Sequence, residues 1–548
     1  MLTLLLASAC GAAVAAPAKP DPREARIEQL EQEVQQLVAA NQRLQADDQQ
    51  LAAQTQALAA EVDQLKQGQS VQTQALATEN QAIQTVQAKV PPAPSVITTL
   101  ASGRPIISSA DGRFTVTAHA VMQLDSGVYS QAAPGPVASD FRRSGPALGA
   151  SAANVDLTHA RQLKDGTVFR RARVGIDGTA FSDWDYRLIL DFGGSGVENT
   201  GQLYETWVQY SGFKPLKIRV GAFPPTIGME DSTSTNTMPF IERSASSDMA
   251  RGFAAGDTRL SGALLASGDH WLVSGAVTGR TIGVLSTGTA AGVPQTFTDP
   301  LAFVGRFAGT PLHGKDWLVQ FGVHGSYLER PANGVGPGVT GLTPLNSEVV
   351  AFSNTQQLRV DGTKLINTGN IDARHADTVG LEFAVQKSNL LFQTEYESFD
   401  VQRSDPGVSS PHFHGYYAEG LWVITGEARK YNSQTAAFDA PPVAHPFSWK
   451  DGTWGAWELG VRYADADLNY HAGAAGTAPA ADSIRGGEEQ NISVGLNWWP
   501  NPVVRFMFDY EHVQIDRLSP SAALFQTPVG AQIGQTYDAV GVRSQFAF

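Results

Sequence analysis

The chain ends on Asp538-Ala-Val-Gly-Val-Arg-Ser-Gln-Phe-Ala-Phe548, in which Val540, Val542, Phe546 and Phe548 occupy even positions, with Gly541, Arg543 and Gln545 between them. Side chains of a strand point to opposite faces with period two, so this segment has one apolar face and one wetter face and stops on an aromatic ring. The pattern is that of a transmembrane β-barrel strand. It recurs in Trp184, Tyr186, Leu188, Leu190 and Phe192, with Asp185, Arg187 and Asp191 on the opposite face. Alternation alone leaves the sense open: a soluble sandwich turns its polar face outward, and a membrane barrel turns it toward a watery lumen.

A chain of 548 residues could hold two or three domains, or one large barrel. No run approaches eighteen apolar residues, so a membrane helix is excluded and any membrane crossing rests on strands. The start, Met1-Leu-Thr-Leu-Leu-Leu-Ala-Ser-Ala-Cys10 followed by Gly-Ala-Ala-Val-Ala-Ala, reads as a secretory signal over 1–16. Ala7-Ser-Ala-Cys10 also resembles a lipid-attachment motif, although a leucine is usual where Ala7 stands. Cys10 is the single cysteine, so cleavage leaves a mature chain without disulfides or thiol chemistry, suited to an oxidising envelope. With 39 Lys+Arg against 53 Asp+Glu and a net charge of −14, nucleic acid is not expected as a partner.

Residues 23–89 predict a periplasmic coiled coil. Leu30, Leu37, Leu44, Leu51, Leu58 and Leu65 hold one heptad position; Ile27, Val34, Asn41, Asp48, Thr55 and Val62 hold the other. The helix would span roughly 90 Å at about 1.5 Å per residue. The polar members of the second set weaken the seam while fixing register and oligomer number, and a solitary amphipathic helix is the plainer alternative. Val90-Pro-Pro-Ala-Pro94 breaks the helix and opens a linker over 90–113.

From 114 to 548 the pattern yields about sixteen strands, an all-β antiparallel transmembrane barrel. Short connections such as 181–183, 211–215 and 499–502 mostly alternate with long polar ones such as 130–165, 225–259 and 330–373. Outer-membrane barrels have this asymmetry, with short periplasmic turns and long outer loops. The connection 425–452 breaks the rule, being long where a short one is due.

The run Phe169-Arg-Arg-Ala-Arg-Val-Gly-Ile-Asp-Gly-Thr-Ala-Phe-Ser-Asp-Trp-Asp-Tyr-Arg-Leu-Ile-Leu-Asp-Phe192 resembles the core motif of the phosphate-selective porin O and P family. So do 212–231, Ile241-Glu-Arg-Ser244, 416–431, 454–463 and the terminal strand, in order over about 105–548; the Thr-Gly-Glu element of that family falls in the odd 425–452 segment. The resemblance implies a homotrimer of sixteen-stranded porins in a Gram-negative outer membrane, and passive diffusion of small solutes. It also implies that the loop after the fifth strand, 225–259, folds inward as a constriction carrying Glu230, Asp231, Glu242, Arg243, Asp248 and Arg251.

Parity then selects the lumenal side chains. With Val168, Ala172, Val174 and Ile176 toward lipid, Arg171, Arg173 and Asp177 point inward; with Leu216, Ile218, Val220 and Ala222 toward lipid, Lys217, Arg219 and Phe223 point inward, joined by Arg187. Fixed guanidinium charges with forked donors concentrate oxyanions, although the same arginines could instead brace the wall against Asp177, Asp185, Asp191 and Glu205. By resemblance, the anion-contacting arginines of the family fall on Arg170, Arg171 and Arg243; parity alone turns Arg170 toward lipid unless a bulge intervenes. Three positions depart from the phosphate-binding pattern: Asp231 for a lysine, Tyr204 for an aspartate and Val121 for an arginine.

No cofactor, metal site or catalytic residue is expected. His412 and His414 share a face but lack a third ligand, Gly193-Gly-Ser-Gly196 lacks the Lys-Ser/Thr of a phosphate loop, and no Gly-x-Ser-x-Gly elbow is present. The partners expected are membrane lipid and lipopolysaccharide, two further copies, small anions, and the cell wall through the coiled coil. Two other readings stand beside the porin: a barrel enzyme, and a barrel serving as a structural tether.

Overall fold

The computed structural model describes residues 56–81, 96–101, 103–131, 163–194, 202–254, 256–281, 287–290, 293–296, 299–332, 348–520 and 529–548, with Arg26, Glu31 and Val34. The expected signal over 1–16 and most of the 23–89 heptads lie outside them. The chain divides into two units, Met1–Ala93 and Pro94–Phe548. In the first, residues 56–81 are helical, and Leu58, Val62 and Leu65 are 61%, 45% and 68% exposed on the single chain.

The second unit is a sheet of eighteen antiparallel strands, sixteen of which close on themselves. We number these β1 (Thr115–Gln131), β2 (Gly166–Ala180), β3 (Trp184–Asp191), β4 (Gln202–Phe213), β5 (Leu216–Phe223), β6 (Arg259–Ser267), β7 (Trp271–Thr281) and β8 (Leu301–His313). There follow β9 (Trp317–Arg330), β10 (His375–Lys387), β11 (Leu390–Gln402), β12 (His412–Val423), β13 (Ala456–Tyr470), β14 (Ile484–Trp499), β15 (Val504–Asp516) and β16 (Thr536–Ala547). Closure comes from β16 on β1, in register from Tyr537↔Gln131 to Ala547↔Val121. Every strand backbone then has a neighbour on both sides, which a membrane interior requires.

The remaining two strands, Val96–Ala101 and Arg104–Ser109, form a hairpin turning at Gly103, whose φ of 84° is costly for a residue with a Cβ. They lie in the stretch read as linker; Val96, Ile97, Thr98, Thr99, Ile106 and Ile107 give it strand propensity. The hairpin pairs with the start of β1 at Ile106↔Thr117, beside the position where β16 ends.

The exposure pattern settles which face is outside. On β10, β11, β15 and β16 the exposed positions include Val379, Leu381, Phe392, Phe508, Tyr510, Val540 and Phe546, whereas Glu382, Glu395, Glu397, Arg505, Asp509, Glu511 and Arg543 are buried. Apolar outside and ionic inside is the polarity of a barrel in lipid. Exposed Trp184, Trp271, Trp317, Trp422 and Trp454 cluster at the short-turn end, where an aromatic girdle meets the membrane interface.

Much of the lumen is filled from both ends. The loop after β5 carries α1 (Met229–Ser232) and α2 (Ala245–Gly252) inward. The described part of the β9–β10 connection packs Val350, Phe352, Leu358 and Ile366 onto Met249 and Phe253 of the first loop and onto wall residues such as Phe399 and Val513. Gly127 and Gly541 make room for this core, since a Cβ there would meet Leu358 at 2.3 and 2.9 Å. From the short-turn side, the 425–452 connection sends in a small hairpin, Lys430–Asn432 with Ala437–Asp439, whose Ala436 carbonyl accepts from Arg306 and Gln320.

Candidate permeation site

The two adjacent arginines of the Phe-Arg-Arg motif both reach the lumen, and the backbone explains how. The β1–β2 register runs Gln123↔Arg171 and then Leu124↔Phe169, leaving Arg170 as an extra residue in a bulge. The bulge reverses parity before it. Val168, assigned above to lipid, is buried at 8% exposure, whereas Phe169 is exposed.

Arg170 and Arg171 converge on Glu242 at the tip of the inward loop. Arg170 Nε donates to Oε1 at 2.8 Å, Arg171 donates through both terminal nitrogens at 3.1 Å, and Arg543 Nη2 donates at 2.9 Å. Arg543 also grips Asp125 at 2.6 and 2.7 Å. Burial by itself raises the Glu242 carboxyl pKa, but Arg170, Arg171, Arg359 and Arg543 together hold it well below the usual glutamate range.

Further ties fix the rest of the loop. Glu230 accepts from Arg462 Nη1 at 2.9 Å and from the Ser244 hydroxyl at 2.7 Å. Asp509 accepts from the Ile241 amide at 2.7 Å, Asn497 donates to the Pro239 carbonyl at 2.7 Å, and Glu395 accepts from the Met229 and Glu230 amides. Arg243 donates back to the carbonyls of Glu230, Asp231 and Thr233, clasping the loop to itself. Arg306, Arg429, Arg462, Arg505, Arg543, Asp125, Glu395 and Asp509, none of them singled out from the sequence, thus hold the constriction. Strand parity marks Arg543 and Arg505 as polar-face residues, but nothing local pairs them with a loop some 260 to 300 positions away.

The loop is tied to β1, β2, β8, β11 and β13 to β16, and the passage left beside it is lined by side chains of β1 to β7. Two cavities of about 300 and 520 Å³ share Arg187, Arg219, Leu265, Gln434 and Thr435. The first is bounded by Arg173, Arg187 and Arg219 of the wall and by Asp231, Arg243 and Arg251 of the loop. The second reaches the short-turn rim past Lys217, Asp177, Asp185 and Trp207. Gln434 and Thr435 bring the inserted hairpin to the passage, a role the sequence did not suggest.

The expected basic set is therefore divided. Arg173, Arg187, Lys217, Arg219, Arg243 and Arg251 line the passage, whereas Arg170, Arg171, Glu230 and Glu242 sit behind it in the loop anchor. Most lining cations have counter-ions. Arg173 pairs with Asp191 at 2.8 Å and lies 3.5 Å over the Tyr204 ring, Arg187 pairs with Glu205 at 3.1 Å, and Arg251 with Asp231 at 2.9 Å and with Asp257. Burial pushes Asp231 up, against the lowering by Arg243 and Arg251. Among the described residues, Lys217 and Arg219 have no carboxylate within 4 Å: Lys217 donates to Gln434 at 3.3 Å, and Arg219 donates to Gln209 at 3.0 and 2.8 Å. The lining holds six basic against four acidic side chains (Asp177, Asp185, Glu205 and Asp231), and Asp191 and Asp257 behind it pair with Arg173 and Arg251.

His412 bonds Asp400 at 2.9 Å on the surface and stacks on His414, and among the described residues no metal-binding group of three forms around them. His324, Glu382 and Glu395 do approach one another. There, Arg306 already grips Glu382 at 2.7 and 2.8 Å, and His324 bridges Glu382 and Glu397 at 3.0 and 2.7 Å, so the cluster is neutralised and hydrogen-bonded by protein groups.

A closed sixteen-stranded barrel with a lipid-facing exterior, an inward loop and a charged passage is an outer-membrane porin. The sequence profile of the phosphate-selective porin O and P family matches residues 147–548, and the chain belongs to that family. Porin O of Pseudomonas aeruginosa is 25% identical over 369 residues, covering 65% of this chain and 78% of that protein. Similar solved structures include an anion-selective porin from Comamonas acidovorans (11% identity, 79% of this chain and 100% of that one, TM-score 0.43). Another is the outer membrane channel DcaP of Acinetobacter baumannii (10% identity, 80% and 99%, TM-score 0.42). The protein is accordingly a channel of the Gram-negative outer membrane, not an enzyme.

Proposed function

We propose that this porin passes small anions in preference to cations, by diffusion and without strong phosphate specificity. The observation that carries the reading is the pair of lumenal cations, Lys217 and Arg219, that among the described residues have no carboxylate within 4 Å, in a passage whose other cations are paired. A narrow passage with low-dielectric walls responds to its nearest charges more than to the acidic total of the chain. The three departures from the phosphate-binding pattern, Val121, Tyr204 and Asp231, all line the first cavity, replacing two cations with a valine and an anion. In a salt gradient across a planar bilayer the reversal potential takes the sign of chloride preference, and phosphate blocks weakly. Cation preference would overturn the reading.

We further infer a homotrimer, contact of the aromatic girdle with lipid and lipopolysaccharide, and a periplasmic coiled coil over 23–89, following the cleaved 1–16 signal. The leucines exposed on the single helix at 58 and 65 support association of that segment with other copies. A tether to the cell wall through the same helices is compatible with conduction and is tested by pull-down of peptidoglycan.

A further inference from the structure

The passage between the constriction and the short-turn rim is amphipathic. Lys217 and Arg219 are two residues apart on β5 and share its lumenal face. Gln209, Gln434, Thr115, Thr117 and Ser267 give this part of the passage its polar groups, and a short apolar strip runs beside them. Lys217 stands directly across from Leu265 on β6, whose side chain is half-buried. Trp207 completes the strip, its ring centre 4.2 Å from the Arg219 guanidinium.

Arg219 is also prepositioned. Its Nε and Nη2 both donate to Gln209 Oε1, and its plane sits between Trp207 and Phe223, whose ring centre is 5.3 Å away. Among the described residues Nη1 has no acceptor. A guanidinium fixed in this way presents its remaining donors to a carboxylate at little ordering cost.

The surroundings discriminate by charge and by shape. Asp177 and Asp185 line the same cavity and oppose a multivalent anion most strongly, and Leu265 cannot replace the hydration shell of an inorganic one. A single negative charge meets about half the repulsion that a divalent anion does, an apolar body has no tightly held hydration shell to replace, and about 520 Å³ gives it room. We propose that this part of the passage is a subsite for monovalent organic anions, aromatic carboxylates in particular: the carboxylate meets Arg219 Nη1 and Lys217 Nζ, and the ring lies along Leu265 and Trp207. The inference rests on the anion preference proposed above and adds the class of solute.

The test uses the full-length protein in planar bilayers, with chloride current measured while sodium benzoate or sodium acetate is added. Burial of part of a phenyl ring separates two ligands with the same charged group, so benzoate half-blocks at roughly a tenfold lower concentration than acetate. Leu265→Gln removes that advantage, and Arg219→Gln weakens block by both anions. Leu265→Ala lowers the advantage in the same direction and serves where the glutamine variant does not assemble. Equal block by benzoate and acetate in an anion-preferring wild type overturns the subsite and leaves the anion reading intact, as does a benzoate advantage that survives both leucine variants. A cation-preferring wild type overturns the anion reading itself.

Discussion

Replacing Glu242 with glutamine tests how the constriction is held. The carboxylate is the only ion-pair partner of Arg170 and Arg171 among the described residues and the second of Arg543, which keeps Asp125. The side chains of Arg171, Arg543 and Glu242 are at most 2% exposed, so solvent screening there is slight; Arg171 is left as an uncompensated buried charge and Arg170, 21% exposed, as a partly screened one. Breaking a buried pair from one side costs about 3–5 kcal/mol, which shifts the docked-to-released ratio of the loop tip by roughly a hundredfold to a few thousandfold. The barrel itself should persist, because its hydrogen-bonded ladder does not pass through Glu242. Single-channel recordings of Glu242→Gln should therefore show frequent transitions to a higher conductance and noisier open levels, with heat-modifiable migration retained. The sign with pH follows from the depressed folded-state pKa: the ionised cluster contributes fully above the usual glutamate value near 4.5 and is lost only as pH falls through the depressed value. Wild-type conductance is expected to hold steady from neutral pH to about pH 4.5 and to become unstable only below it. A conductance histogram for Glu242→Gln that matches the wild type over this range would refute the anchor.

Two further outcomes are open to simple measurement. Asp231→Lys exchanges a partly neutralised anion for a cation at the first cavity and should introduce or deepen phosphate block of the chloride current; an unchanged phosphate titration would show that the loop charge does not control multivalent anions. A peptide of residues 23–67 should be helical and self-associate in sedimentation experiments, and Leu37→Asp or Leu51→Asp should abolish association by placing an unpaired charge in the seam; a peptide monomeric at high concentration leaves the segment a spacer.

The number and approximate position of the sixteen barrel strands were legible in the sequence, because alternation with period two and the placement of short and long connections are local properties; the inward loop was implied by the family resemblance, and the hairpin at 96–109 lies in the stretch read as linker. The lumenal sides of β3 and β5 were legible for the same reason: parity put Arg187, Lys217 and Arg219 inward, and all three line the passage. Parity failed at the β2 bulge, where one extra residue brought Arg170 in and turned Val168 away from lipid; a bulge depends on the register against β1, which the sequence of β2 alone does not carry. Nor does local sequence distinguish an arginine that conducts from one that anchors. Arg171 and Arg173 are neighbours on one face, yet the first is buried under Glu242 and the second stands at the passage beside Tyr204. Periodicity fixes the direction of a side chain because it follows from backbone geometry within a few residues. Whether its charge is neutralised depends on groups brought up by closure of the barrel, such as Glu242 against Arg543, 301 positions apart, and only the tertiary structure could decide that.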